Sequence, residues 1–301
     1  MQSKSFDNKK ELRFVIALGT SSFDTAGKYD QIVLQGFRAS VDIDKAGGVQ
    51  MGTLRAKIYG VSQSDMNTCT SFTMQAPRNG GYTYLPNTVK VYAIDGKAES
   101  LVFAGNIVNA WADYQSMPDV FLHIQAAAVV YGQLKPIPPR SFKGAVDVAT
   151  VMGQIAADMG FAFENHGVNV KLSDVYLAST GWEQAKELAH MAGIGLWPDD
   201  GVLAITQSPL TPREAKEIPL VSPATGMVGY PTYDGYGVNL RTLYNPSIRF
   251  GGRVKVETDV QQAAGEWVVA CVAHHLESEK PGGAWFSTVR LNNTGLAITG
   301  R

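Results

Sequence analysis

Phe37, Ala39, Val41 and Ile43 alternate with Arg38, Ser40, Asp42 and Asp44. That period of two turns one face of a strand toward a core and the other toward water. Leu54, Ala56 and Ile58 alternate in the same way with Arg55, Lys57 and Tyr59. Val89 to Ile94 then meets Asp95-Gly96, whose tolerance of positive φ suits a tight reversal, before the apolar run Leu101 to Ile107; Phe121 to Val130 closes the region. Short strands at this spacing predict an antiparallel barrel or sandwich.

The pattern changes at Pro136 to Pro139, where three prolines in four residues fix φ and remove ladder donors. Beyond it, Val148, Val151, Ile155 and Met159 share one helical face, with Asp147 as cap, Gly160 as stop and a strand from Phe161 to Phe163. The plan then returns. Thr180 with Glu183 has capping-box spacing, Trp182, Ala185, Leu188, Ala189 and Ala192 form the apolar stripe, and Gly193 ends it. Strands Ile194 to Trp197 and Val202 to Thr206 turn at Pro198-Asp199-Asp200-Gly201. A shift of 33 places superposes Gln154-Ile155-Ala156 on Glu187-Leu188-Ala189 and Gly160 on Gly193, which points to a duplicated helix-plus-strand unit.

Strands resume after Pro209 and Pro212: Val254 and Val256, Trp267 to Val272, and Trp285, Ser287, Val289 and Leu291 alternating with Phe286, Thr288 and Arg290 beyond the Gly282-Gly283 turn. If Trp267 anchors the core of this region, Trp267→Ala costs about 3–5 kcal/mol. The order is β-rich, then α/β, then β-rich again. A length of 301 residues argues for more than one core. The reading is therefore a mainly β chain with α+β inserts: two antiparallel β-barrel domains joined by two small helix-plus-strand units. Its segments are an N-terminal arm (1–11), a first barrel (12–135), an α/β region (140–210) and a second barrel with a C-terminal tail (213–301).

Hydrophobic content of 45% with 18% charged residues is that of a folded globular chain. The net charge of −1, from 26 basic and 27 acidic residues, gives no cationic excess for tight nucleic-acid binding. Met1 to Lys10 lacks the roughly 7–15 apolar residues of a secretory signal, and no run approaches the roughly 20 of a membrane span. Cys69 and Cys271 lie far apart and outside CxxC spacing, so reduced cytosolic thiols are expected.

No residues stand out for catalysis, cofactor binding or metal binding. His274 and His275 are adjacent, so on a strand their rings face opposite ways and do not converge on one ion. His123, His166 and His190 fall in different elements. Asp199-Asp200 could be a carboxylate pair for acid/base work, yet Pro-Asp-Asp-Gly is also what a hairpin turn demands, and the turn is the preferred reading. The glycine pairs Gly47-Gly48, Gly80-Gly81, Gly251-Gly252 and Gly282-Gly283 do not open helices as phosphate loops do. Tyr230, Tyr233, Tyr236 and Tyr244 are the candidate protein interface, since tyrosine supplies amphipathic contact area; carbohydrate stacking competes, without an accompanying acidic or amide cluster.

The run Gly226 to Pro231, the strings Gly237-Val238-Asn239-Leu240 and Leu243-Tyr244-Asn245-Pro246, the strand Gly251 to Val256, Gly265 to Val269, His274-His275-Leu276 and Gly282 to Thr288 together resemble the baseplate hub proteins of contractile-tailed phages. The resemblance is strongest over 218–292. It implies a non-enzymatic hub of two tail-tube-like barrels, assembled as a homotrimer and forming a quasi-sixfold ring between the hexameric tail tube and the trimeric cell-puncturing spike. Implied partners are the tube or distal tube protein and the central spike, with the tape-measure and other baseplate proteins beyond them; no cofactor is implied. The implied location is the virion's tail baseplate, assembled in the host cytoplasm. Ring closure would cover the barrels' edge strands by joining one subunit's sheet to the next. A carbohydrate- or receptor-binding tail module, using Tyr230, Tyr233, Tyr236 and Trp285, and a cell-wall-degrading tail enzyme are the alternatives.

Overall fold

The computed structural model describes residues 9–19, 23, 30–45, 52–72, 86–115, 117–134, 136–235 and 237–292. The chain divides into two units, the first of Met1–Asp44, Thr53–Ala128 and His274–Phe286, the second of Lys45–Gly52, Val129–Ala273 and Ser287–Arg301.

The first unit is built from strands in which every second residue is apolar. In β1 (Lys10–Ala17), Leu12, Phe14 and Ile16 are buried while Arg13 and Val15 face outward. β2 (Gln31–Gln35) pairs with it, and β3 (Ala39–Lys45) and β4 (Thr53–Tyr59) bury the alternating residues that the sequence predicts. Helix α1 (Gln63–Cys69) starts where the Ser62 hydroxyl accepts the Asp65 amide at 3.1 Å. β5 (Ser71–Phe72) precedes the hairpin of β6 (Thr88–Asp95) and β7 (Ala98–Asp113), which turns at Gly96 with φ 63°, and β8 (Phe121–Ala127) follows. The order is β2-β1-β6-β7-β8-β4-β3, antiparallel throughout, with residues 274–278 of a later strand beside β3. Glu11 lies inside β1, while residues 1–8 of the expected arm lie outside the described residues.

The second unit opens on α2 (Val130–Leu134), β9 (Arg140–Ser141) and β10 (Ala145–Asp147). Helix α3 (Val148–Met159) begins at the Asp147 carboxylate, which accepts the Thr150 amide at 2.8 Å, and stops at Gly160 with φ 78°. Its buried residues include Val148, Val151, Ile155 and Met159, the stripe expected from spacing. After β11 (Ala162–His166), β12 (Lys171–Ser173) and β13 (Tyr176–Leu177), helix α4 (Gly181–Ala192) repeats the design with Thr180 as cap and Gly193, φ 64°, as stop. Next come β14 (Gly195–Asp199) and β15 (Val202–Thr206). β11, which follows α3, and β14, which follows α4, flank β15, one parallel to it and one antiparallel.

The remaining strands are β16 (Leu220–Val221), β17 (Met227–Asp234), β18 (Gly237–Leu243), β19 (Arg253–Val256), β20 (Gly265–Ser278) and β21 (Trp285–Asn292). Val238, Leu240, Val254, Val256, Val269, Val272, Val289 and Leu291 form their core.

The architecture is mainly β, with a large antiparallel sheet, and the described residues form no closed barrel. The strand path ends at β2 and at β17, and among the described residues no pairing closes a ring. Alternation fixes the face a strand buries; closure depends on which distant strand meets the last edge, and alternation is silent on that. Trp267 also departs from expectation. It is half-buried against the core, its indole N–H donating to Ala263 O at 2.9 Å, whereas Trp197 is buried within that core and Trp182 on α4 is 1% exposed.

Candidate functional site

Strand β17 buries Met227 and Pro231 and leaves the rest of its side chains outside, with Val228 38%, Tyr230 73% and Tyr233 53% exposed. Within its sheet it pairs with β18 along one edge, so among the described residues its other edge is open. The pairing register slips between Val228 and Thr232, a bulge that includes Gly229 at φ 72° and the amide-less Pro231. The chain thus places two tyrosine rings on a bent strand at the margin of the fold.

The far end of this strand is fixed by Asp234. Its Oδ1 accepts the Gly237 amide at 3.0 Å, its Oδ2 accepts Asn239 Nδ2 at 3.0 Å, and Arg290 Nε stands 3.2 Å from Oδ2. Gly237 is needed here for close approach, because a Cβ on it would lie 1.9 Å from the Leu291 carbonyl oxygen. Gly237→Ala is expected to push β18 away from β21 and lower stability by about 1–3 kcal/mol, the usual range for overpacking, readable as a lower urea midpoint.

Of the tyrosines singled out in sequence, Tyr230 and Tyr233 are both exposed on β17, Tyr244 is half-buried just past β18, and Tyr236 lies outside the described residues. An exposed aromatic pair on a held strand suits contact with another protein surface, where Tyr buries large area at low entropy cost.

Asp199 and Asp200 belong to a turn, as the sequence suggests: β14 and β15 join through Asp200 (φ 49°) and Gly201 (φ 82°). Their charges are also used, in a way the sequence does not announce. Lys45 Nζ donates to Asp199 Oδ1 at 2.9 Å and to Asp200 Oδ2; Arg213 Nη1 donates to Asp199 Oδ2 at 3.0 Å and Nη2 to Glu164 Oε2 at 3.1 Å. Lys45, Asp199 and Arg213 are all largely buried. Burial alone would raise the Asp199 pKa, but the charge and hydrogen bond of Lys45, then of Arg213, outweigh it and hold the carboxyl below its ordinary value. Lys45 is held above its ordinary value, since the charges of Asp200 and Asp199 outweigh the lowering effect of burial. A carboxylate committed to two cations in this way is a structural anchor, not a proton donor.

The histidine pair behaves as adjacent strand residues must: His274 is buried, and His275 is exposed with Nδ1 2.6 Å from Asp42 Oδ1. Among the described residues no three metal-ligating side chains gather. Cys69 is buried, which pushes its thiol up to about 12.

The family model for baseplate hub gp41 matches residues 16–282. Among solved structures, the fold is similar to that of a tail protein from Neisseria meningitidis MC58, with TM-score 0.62 at 12% identity over 95% of this chain and 98% of that one. The 43 kDa tail protein of prophage MuSo2 from Shewanella oneidensis gives 0.61 at 10% identity over 94% and 97%. An E. coli component of the type VI secretion system, itself structurally similar to the T4 tail proteins gp27 and gp5, gives 0.53 at 8% identity over 85% and 73%. Among curated proteins none matches the sequence.

Proposed function

The chain belongs to the baseplate hub gp41 family, and on that premise we propose that it is a structural, non-enzymatic hub that assembles as a homotrimer and joins the tail tube to the central spike. In this reading the β-rich segments 12–135 and 213–301 each supply one sector of a quasi-sixfold ring, with 140–210 as the α/β link between them. The tube or distal tube protein docks on one face and the spike on the other, with the tape-measure and other baseplate proteins nearby, in the virion tail.

The observation that carries the reading beyond family membership is the exposed tyrosine edge of β17, apolar area set beside an open strand where a second subunit can cover it. A cyclic trimer is heterologous, so each copy presents two different surfaces, and β17 is taken as one of them.

Light scattering on the purified protein is expected to give a trimer. Replacing Tyr230 and Tyr233 together by lysine is expected to weaken self-association by roughly 30–1,000-fold, from two aromatic contacts of about 1–2 kcal/mol each, while leaving thermal unfolding of the subunit unchanged. A wild-type chain that stays monomeric alone and with tube and spike proteins would defeat the proposal.

A further inference from the structure

The two strands at the ends of the sheet path differ in how they treat an incoming strand. β17 carries a proline, a glycine and a bulge, all of which spoil a hydrogen-bonding ladder. β2 reads Gln31-Ile32-Val33-Leu34-Gln35, without a charge or a proline, and pairs with β1 without a register shift. Natural edges this bare are uncommon, because they template pairing with other chains.

The hydrogen-bond parity shows which groups β2 offers. Leu18 N donates to Asp30 O at 2.7 Å, and these two residues lie directly opposite in the β1/β2 register. Bonded pairs alternate along an antiparallel ladder, so Ile32 and Leu34 face β1 with their amides and carbonyls, while Gln31, Val33 and Gln35 turn theirs outward. Among the described residues no strand pairs with that outer side. The same three residues are exposed, Val33 to 51%, and Gln35 is held in place by its Nε2 donating to Glu11 Oε2 at 2.9 Å.

We infer that β2 is the strand-accepting edge of this protein, and that it takes an extended segment of a second copy of the chain through the outward backbone groups of Gln31, Val33 and Gln35. The inference rests on the trimeric ring proposed above and supplies the second surface that such a ring needs, a backbone edge to complement the side-chain surface of β17. The absence of charge on β2 matches this occupant, since it neither repels nor selects by charge and leaves recognition to the ladder itself.

The test is Val33→Pro, which removes an outward amide and leaves the bonds between β1 and β2 untouched, compared with Ile32→Pro, which removes an inward one. Val33→Pro is expected to keep the wild-type Tm and to raise the dissociation constant of the trimer tenfold or more, by light scattering across concentrations. Ile32→Pro is expected to lower the Tm. In the wild-type trimer, the amides of Gln31, Val33 and Gln35 are expected to exchange more slowly than in the diluted monomer. A wild-type trimer in which Val33→Pro associates normally, or in which those amides exchange as fast as in the monomer, overturns the role of β2 and leaves the ring standing. A wild-type chain that is monomeric at every concentration, alone and with tube and spike proteins, overturns both. Should Val33→Pro unfold, the wild-type exchange comparison decides alone.

Discussion

Asp199→Ala is expected to lower the free energy of unfolding by about 3 kcal/mol, the lower end of what breaking a buried ion pair costs. The figure sits at that end because neither cation is stranded: Lys45 keeps Asp200 and Arg213 keeps Glu164. Glu164→Gln is the comparison, since its carboxylate is far more exposed, and it is expected to cost under about 1 kcal/mol. The cluster also responds to pH, at both ends of the scale. The Asp199 pKa is depressed in the folded state, so its contribution is complete above the ordinary value of 3.8 and is lost as pH falls through that value toward the folded one. The Lys45 pKa is raised, so its contribution is complete below 10.5 and is lost as pH rises beyond it. Denaturant titrations should therefore show a smaller loss of stability below pH 4 in Asp199→Ala than in the wild type. Equal acid limbs would mean that the cluster does not titrate as its geometry requires.

What the sequence reveals follows from how local each device is. The caps of α3 and α4 are legible because Asp147, Thr180, Gly160 and Gly193 act on amides and carbonyls within a few positions of themselves. The cluster around Asp199 is not, because Lys45 is 154 positions away and Arg213 follows a proline in a polar linker with no pattern of its own. β17 is half-legible: its tyrosines are conspicuous, but with glycine and proline among them the run has no alternation, and its place at the edge follows only from the pairing of β18 with β21. Barrel closure and the burial of Trp267 are not legible in the pattern, since each depends on what covers a strand from outside its own sequence.

Trp182→Ala is expected to be the most destabilising single truncation, at about 3–5 kcal/mol. Trp182 is the largest fully buried side chain of the described residues and stands in the first turn of α4, beside Gln184, which is itself fully buried. Gln184 fixes that turn: its Oε1 accepts Arg140 Nη1 at 2.8 Å, and its Nε2 donates to Pro138 O and Ser179 O, both at 3.3 Å. A cavity left by the indole has little room to collapse while these bonds hold the helix start, which is why the upper half of the range is expected. The indole N–H has no acceptor among the described residues, so the ring contributes through packing and its nitrogen is a cost. Trp182→Phe separates the two effects, giving up part of the packing while removing the unpaired donor. It is expected to cost under about 1.5 kcal/mol in urea unfolding. A loss as large as that of alanine would show that the N–H is bonded after all. Because the two helix-plus-strand units share β15, loss of the α4 anchor should lower the stability of β11 and β14 together, seen as a joint rise in their amide exchange.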